Sequence, residues 1–314
     1  MHILRNTNIN FVRWRWHAIA LSCLVILAGV AGMIRGGLPL GVDFSGGTIV
    51  VVQFESAVSA DDVRGVVDVF PGDEVVQRYG PPEDNEWLIR LPQIEMEEQG
   101  AALGEGAARI VDALEGSALP AFEVLSTEVV GPVVGADLQR RGVYATVLAL
   151  LGIAVYITFR FRFSFAVGAL VAVIHDLLVT LTLLTLFGYE LSLNVVAALL
   201  FTTGYSVNDT IVIYDRVREN LRKMRRESLE TVVNTSVNHT LARTLITSIT
   251  TFVAVTSVFL FGGEVLRSLA FTLMVGVLSG TYSTIFIAAS VAIVMSRQAK
   301  GKGAAPAAAG ARAS

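Results

Sequence analysis

A single cysteine, Cys23, stands among the 314 residues, which excludes a disulfide framework and any multi-cysteine metal site. Histidine is almost as scarce. His2, His17, His175 and His239 are scattered without the close spacing of a metal-ligand motif, so no metal and no other cofactor is expected. Charge is the next shortage: 16% of residues are charged, against about a quarter in an average soluble domain. Combined with a 53% hydrophobic share, this argues against a purely soluble protein and excludes a disordered chain. Neither Gly-x4-Gly-Lys-Ser/Thr nor a Gly-x-Gly-x-x-Gly after a strand occurs, so nucleotide energy is not visibly used and no enzyme is expected.

What charge there is lies unevenly. Nineteen of the 27 acidic residues fall within 36–139, against four basic ones (Arg64, Arg78, Arg90 and Arg109). That segment therefore carries −15 while the whole chain carries −3. So acidic a polar segment makes a nucleic-acid surface a poor expectation.

A bilayer core needs roughly 20 apolar residues in a helix. Six stretches qualify, at 17–34, 142–159, 163–187, 191–213, 241–261 and 269–295. The first follows Arg5, Arg13 and Arg15, as a signal peptide would, but its run is long and no clean Ala-x-Ala site ends it. A retained helix over 17–35 is the better reading, after a cytoplasmic N-terminus of 1–16. Lysine and arginine placement sets the orientation. With the N-terminus inside, 16 of the 24 cations fall on inner segments, seven of them between Tyr214 and Arg243. The two short outer loops hold only Arg267, and Arg140 with Arg141 form a local exception on the outer side. Both termini are thus expected inside, with 36–139 as an external domain. Helices two to six fill 140–296 around a basic cytoplasmic loop at 214–240. A solvated, disordered tail is expected over 297–314.

The external segment alternates. Valine-rich 48–55 reads as a strand, and Ser59-Ala-Asp-Asp62 as a capping box opening a helix to about Phe70. Two strands at 74–79 and 87–91 flank a turn at 80–85, then a helix covers 95–114 and a last strand 122–130. The order β-α-β-β-α-β predicts an α+β ferredoxin-like sandwich.

Ionisable residues inside membrane helices are costly, about 2.5–3.5 kcal/mol or more at the centre, and mark function. Three occur: Asp176 beside His175, Asp209, and Arg243. Each sits on a stripe of small and polar residues. On the third helix this is Ala169, Ala172, Asp176 and Thr180; on the fourth, Asn194, Ala198, Thr202, Ser206 and Asp209. On the fifth it is Arg243, Thr247, Thr250, Ala254 and Ser257. Three such stripes can face one another, and Asp209 with Arg243 lie at similar depth. One reading is a static ion pair. The sharper one is a proton or cation relay of Asp209, Arg243 and Asp176, supported by His175, Asn208, Ser206 and Thr247, in which Arg243 keeps Asp209 ionised. An intramembrane aspartyl protease would need its two carboxylates close together, which the depths of Asp176 and Asp209 disfavour. A passive scaffold stays open. The single-sided stripes also imply a partner bundle to cover the three charges.

Several longer motifs resemble those of the bacterial SecF family. They are GVDFSGGT (41–48), VGPVVGADL (130–138), the pair His175-Asp176, GYSVNDTIVIYDRVREN (204–220), LARTLITSITT (241–251) and FGGEVLRSLAFTLMVGVLSGTYS (261–283). A relative of the SecD type would carry Gly-Leu-Asp-Leu and a larger external domain. The resemblance implies an RND-like bundle of six transmembrane helices, joined with SecD in a complex. That complex assists the SecYEG channel, with YajC and YidC as candidate neighbours, and draws unfolded exported polypeptide outward on the proton or sodium gradient. It further implies that Asp209 is the aspartate of the family's NDT motif and Arg243 the arginine of its LxRT motif, with Tyr214 in place of the usual Phe. Another RND-like ion-coupled transporter is the alternative. Gly36, Gly37, Gly131 and Gly135 flank the external domain as hinge candidates, or as ordinary turn punctuation.

Overall fold

The computed structural model describes residues 7–70, 75–92 and 105–303 and consists of a helical bundle carrying a small α+β unit. Among the described residues, six helices are long and apolar enough to cross a membrane. They are α1 (Phe11–Gly36), α5 (Pro132–Arg160), α6 (Phe163–Leu186), α7 (Leu193–Lys223), α8 (Leu229–Phe261) and a sixth, broken span. The last comprises α9 (Gly263–Ser283), a π-helical turn (Thr284–Ala288) and α10 (Ala289–Gly303).

Several of these helices outrun their apolar stretches, and their caps show why. Ser228 accepts from the Thr231 amide and starts α8 twelve residues before the apolar run at 241. Ser192 accepts from the Val195 amide at the start of α7. The basic stretch 214–240, expected as a loop, is therefore helical except around 224–228. Its two helix ends pack through buried Val217, Val232, Val233 and Val237, and Asn220 donates to the Ser236 hydroxyl at 2.9 Å. A hydropathy window measures bilayer thickness, not helix length, and so missed these polar ends. Likewise the disordered tail expected from 297 begins as helix, with Arg297 paired to Glu230 at 2.9 Å, which also holds Arg15 at 2.6 Å. Residues 304–314 lie outside the described residues.

The α+β unit contains a short helix α2 (Val42–Ser45), then β1 (Gly47–Phe54), α3 (Ala60–Val67), β2 (Val75–Tyr79), β3 (Glu86–Pro92), α4 (Glu105–Glu115) and β4 (Phe122–Val130). Its sheet runs β2-β3-β1-β4 with every neighbouring pair antiparallel, the ferredoxin-like arrangement expected. The helix expected over 95–114 is seen from Glu105; 95–104 lie outside the described residues. Ser59 and Asp62 form the expected capping box on α3. At the β2–β3 turn Asn85 takes a left-handed conformation, φ 52°, which asparagine tolerates better than most side chains. The unit has its own core: Val50, Val52 and Phe54 of β1 and Ile89 of β3 meet Val63 and Val67 of α3 and Ile110 and Leu114 of α4. Each such side chain contributes about 1.5–3 kcal/mol relative to exposure.

Gly46 and Gly47, between α2 and β1, both have positive φ (74° and 141°). A Cβ on Gly47 would stand 2.6 Å from the Leu91 carbonyl oxygen, so the glycine pair lets β1 start flush against β3.

Candidate functional site

The third-helix stripe is buried as a whole: Ala169, Ala172, Asp176 and Thr180 are each 5% exposed or less. What it faces differs from the expectation. The Asp176 carboxylate accepts three serine hydroxyls, from Ser206 on α7 (2.6 Å) and from Ser279 and Ser283 on α9 (2.6 and 2.7 Å). His175 Nδ1 lies 3.1 Å from the same carboxylate, and its Nε2 lies 2.9 Å from the Ser22 hydroxyl of α1. Ser22 donates to Tyr282, and Tyr282 donates to the Ala18 carbonyl. One side-chain carboxylate thus ties α6 to α7 and α9, and its histidine neighbour extends the network to α1.

The partner the sequence reading missed is α9. Its Ser279 and Ser283 stand four residues apart beside Gly276 and Gly280, all on one face. The glycines are close-approach positions: an added Cβ on Gly276 would overlap the Thr202 side chain, and one on Gly280 would stand 2.9 Å from the Ser206 Cβ. The Gly-x3-Gly spacing was visible in sequence. That the serines beside it hold a carboxylate requires knowing that α6, α7 and α9 meet. The charge expected to need a partner bundle at Asp176 is covered within the chain.

Asp209 is different. It is 4% exposed, yet among the described residues its Oδ2 has no hydrogen-bond partner. Ala198, Thr202 and Ser206 of its stripe are buried with it, whereas Asn194 and Asn208 are exposed. The static pair considered from the sequence is not formed: Arg243 lies within electrostatic reach of Asp209, but no ion pair joins them among the described residues. The reason is the orientation of α8. Arg243, Thr247, Thr250, Ala254 and Ser257 all face outward, as do Ile246, Ile249 and Val253. The Thr247 hydroxyl bonds its own helix, at the Arg243 and Thr244 carbonyls (3.1 and 2.9 Å). Two of the three polar stripes therefore converge, on α9, and the third looks away from the bundle. Chemically, Asp209 is a buried carboxylate with a free acceptor oxygen, able to take a proton or a small cation. Among the described residues, no group of three or more His, Cys, Asp or Glu side chains could hold a metal ion.

A seam between the α+β unit and the bundle went unread in the sequence. Leu40 bridges to Leu191 in the α6–α7 connection; the Leu191 amide donates to the Pro39 carbonyl (2.7 Å) and the Gly41 amide to the Leu191 carbonyl (2.9 Å). Asp43 of α2 accepts from the Leu193 amide at 2.8 Å, so it caps α7 from outside. Arg90 of β3 pairs with Glu190 at 2.6 Å and donates to the Leu40 carbonyl at 3.4 Å. Burial pushes the Glu190 carboxyl above its ordinary range, with Arg90 pulling the other way. Of the hinge candidates, Gly36 ends α1, Gly37 follows with φ 74°, and Gly131 precedes α5. Gly135 is packed instead: a Cβ there would stand 2.9 Å from the Phe44 carbonyl oxygen. It serves the close contact of α5 with α2.

Comparison with known proteins agrees with this architecture. The family model for the protein export membrane protein SecD/SecF, C-terminal, matches residues 110–298, and that for the SecD/SecF GG motif matches 33–58. The chain is 40% identical over 289 residues to the protein translocase subunit SecF of Desulfurispirillum indicum, covering 91% of each. It is 38% identical over 285 residues to that of Escherichia coli O157:H7, covering 90% of this chain and 87% of the relative. Among solved structures, SecDF from Thermus thermophilus, a translocon-associated membrane protein, superposes with a TM-score of 0.82 at 32% identity. That match takes in 94% of this chain but 39% of the SecDF chain. A multi-pass bundle with a ferredoxin-like unit, the GG motif at their seam and this likeness to SecF subunits along most of the sequence lead to one assignment: the chain belongs to the SecF family of protein translocase subunits.

Proposed function

We propose that the chain is one half of an ion-coupled unit that draws exported polypeptide across the cell membrane, with a SecD protein as the other half and the SecYEG channel, YajC and YidC as neighbours. The observation that carries this reading is Asp209: a buried carboxylate at membrane depth with an unpartnered oxygen, beside an arginine that presents its face outward. An outward Arg243, two residues inside the end of its apolar run, carries a cost against lipid, and a second bundle covering it would remove that cost. Asp209 and Arg243 would handle the charge. Asp176 and His175, fully engaged with four other helical positions, fit an anchoring role better than the relay role first expected.

Sidedness rests on the cation distribution. The α+β unit lies outside in this reading, and both termini inside. A Ser59→Cys, Cys23→Ala variant is expected to react with an impermeant thiol reagent added to intact cells; reaction only after permeabilisation would reverse the orientation.

The coupling is tested in vesicles holding this chain with a SecD partner and the channel. An imposed proton or sodium gradient is expected to raise export, and the effective ion identifies itself by which gradient works. Arg243→Lys is expected to reduce the enhancement about tenfold at unchanged complex levels, because an ammonium point charge does not replace the planar guanidinium fork. Export indifferent to either gradient would leave a passive scaffold as the function.

A further inference from the structure

Two features of the chain have no place in the translocase reading: the arginines at 140–141, which break the cation pattern, and an apolar cavity of about 280 Å³ next to them. The cavity lies at the end of the bundle that carries the α+β unit. Its walls are α5, α6 and α7, and its roof is the segment that forms the seam, including Leu40, Phe44 and Leu191. Gly142 leaves the α5 wall open, since its missing side chain would only reach the Phe44 ring and Val196 at 3.9 Å. Val143 and Val147 line the cavity and are also 56% and 47% exposed, so it opens sideways onto the surface that faces lipid.

We propose that this cavity with Arg140 is a binding site for one anionic phospholipid of the surrounding leaflet, an acyl chain lying in the cavity and the phosphate on the guanidinium. Three observations favour that occupant over a peptide segment. None of the lining residues has a buried polar atom left without a partner: the Thr146 hydroxyl donates to the Gly142 carbonyl at 2.9 Å. A peptide would bring a run of backbone amides into a space where the exposed Gln139 is the one lining side chain free to meet them, at several kcal/mol per unsatisfied group, whereas an acyl chain asks for no hydrogen bond. The volume lies just below the usual range of ligand sites, room for a length of one acyl chain and for no second one.

Third, the charge is in place. Arg140 is exposed one turn before Val143, a quarter-turn around α5 from the cavity lining, and no ion pair or hydrogen bond engages it among the described residues. Arg141 points elsewhere on the helix and is paired with Asp137 at 2.7 Å. Of the two cations that break the sidedness pattern, Arg140 is thus the unpaired one, next in sequence to the lining residue Gln139. Because the roof is the seam, an occupying chain would fill the space beneath the Leu40–Leu191 bridge and support the docking of the α+β unit.

The test uses the full chain in detergent with phosphatidylglycerol or phosphatidylcholine of identical acyl chains, reading thermal unfolding and, by native mass spectrometry, retained lipid. Phosphatidylglycerol is expected to be retained at one molecule per chain and to raise the unfolding temperature more than phosphatidylcholine. Arg140→Gln should weaken phosphatidylglycerol binding roughly fivefold, the effect of about one cation at a membrane surface, and erase the preference between headgroups. Val143→Trp, placed on an exposed wall so that folding survives, should exclude both lipids. Equal retention of the two lipids by the wild type, or retention untouched by Val143→Trp, would overturn the site. Glycerol phosphate alone reproducing the stabilisation would overturn it too, as would an apolar peptide that binds in competition with the lipid and more tightly.

Discussion

Asp209→Asn is expected to leave the folded complex at its normal level and thermal stability while abolishing gradient-driven export. The expectation follows from what Asp209 lacks. With no hydrogen bond to its Oδ2 among the described residues, an amide of the same shape gives up no partner. It also removes a buried charge, which costs about 2.5–3.5 kcal/mol at the bilayer centre and less at Asp209, near the end of its apolar run, so stability holds or rises slightly. What disappears is the ability to take up and release a cation. Each elementary charge crossing 100 mV delivers about 2.3 kcal/mol, and a chain that cannot carry it has none of that energy to direct at the polypeptide. Folded complex and gradient-dependent export are measured in the same vesicles. Normal export enhancement would refute the relay. Depleted complex would show instead that Asp209 holds the bundle together.

Asp176→Ala has the opposite profile: a large loss of stability. Removing the carboxylate leaves the hydroxyls of Ser206, Ser279 and Ser283 and the imidazole of His175 without the acceptor they share. At the average of about 0.6 kcal/mol measured for interhelical hydrogen bonds in membranes, four bonds come to roughly 2–3 kcal/mol. Bonds to an ionised group are about twice as strong as neutral ones, and the alanine also leaves a void, so a loss of about 3–5 kcal/mol is expected. Asp176→Asn should recover part of this, because one of its two acceptor oxygens survives. A chain unfolding in mild detergent reads the effect directly. Should Asp176→Ala unfold at the wild-type temperature, the serine cage would not be what joins α6, α7 and α9.

The two aspartates looked alike as residues in apolar runs, and the difference between them marks how far sequence reading reaches. Strand positions in the α+β unit were legible because alternation and capping are local: β4 covers 122–130 as expected, and Ser59 caps with Asp62 three residues later. The helical stripes were legible for the same reason, since spacings of three and four define a face. Which stripes meet was not. That depends on the rotation of each helix about its own axis, and the outward turn of α8 carries no signature within α8 itself. The serines of α9 were hidden for a related reason, being ordinary residues until a carboxylate from a helix more than 100 residues away points at them. The seam belongs to the same class. Asp43 lies in a motif that was read, but its role as a cap exists only once the segment before Leu193 folds against it.

The position of that cap sets how force would travel. Asp43 grips α7 at its first residue, and Asp209 stands 16 residues further along the same uninterrupted helix, about 24 Å away at 1.5 Å per residue. A hydrogen-bonded helix is stiff along its length, so α7 is shaped as a push-rod whose first turn is clamped by the α+β unit and whose shaft bears the acidic group. Halfway along, Thr202 and Ser206 rest against Gly276 and Gly280 with no slack for another carbon atom. Side chains seated in glycine notches oppose sliding as well as tilting. Displacement of the clamp would reach the carboxylate by carrying α7 and α9 together, across a contact whose tolerance is smaller than a single methyl group.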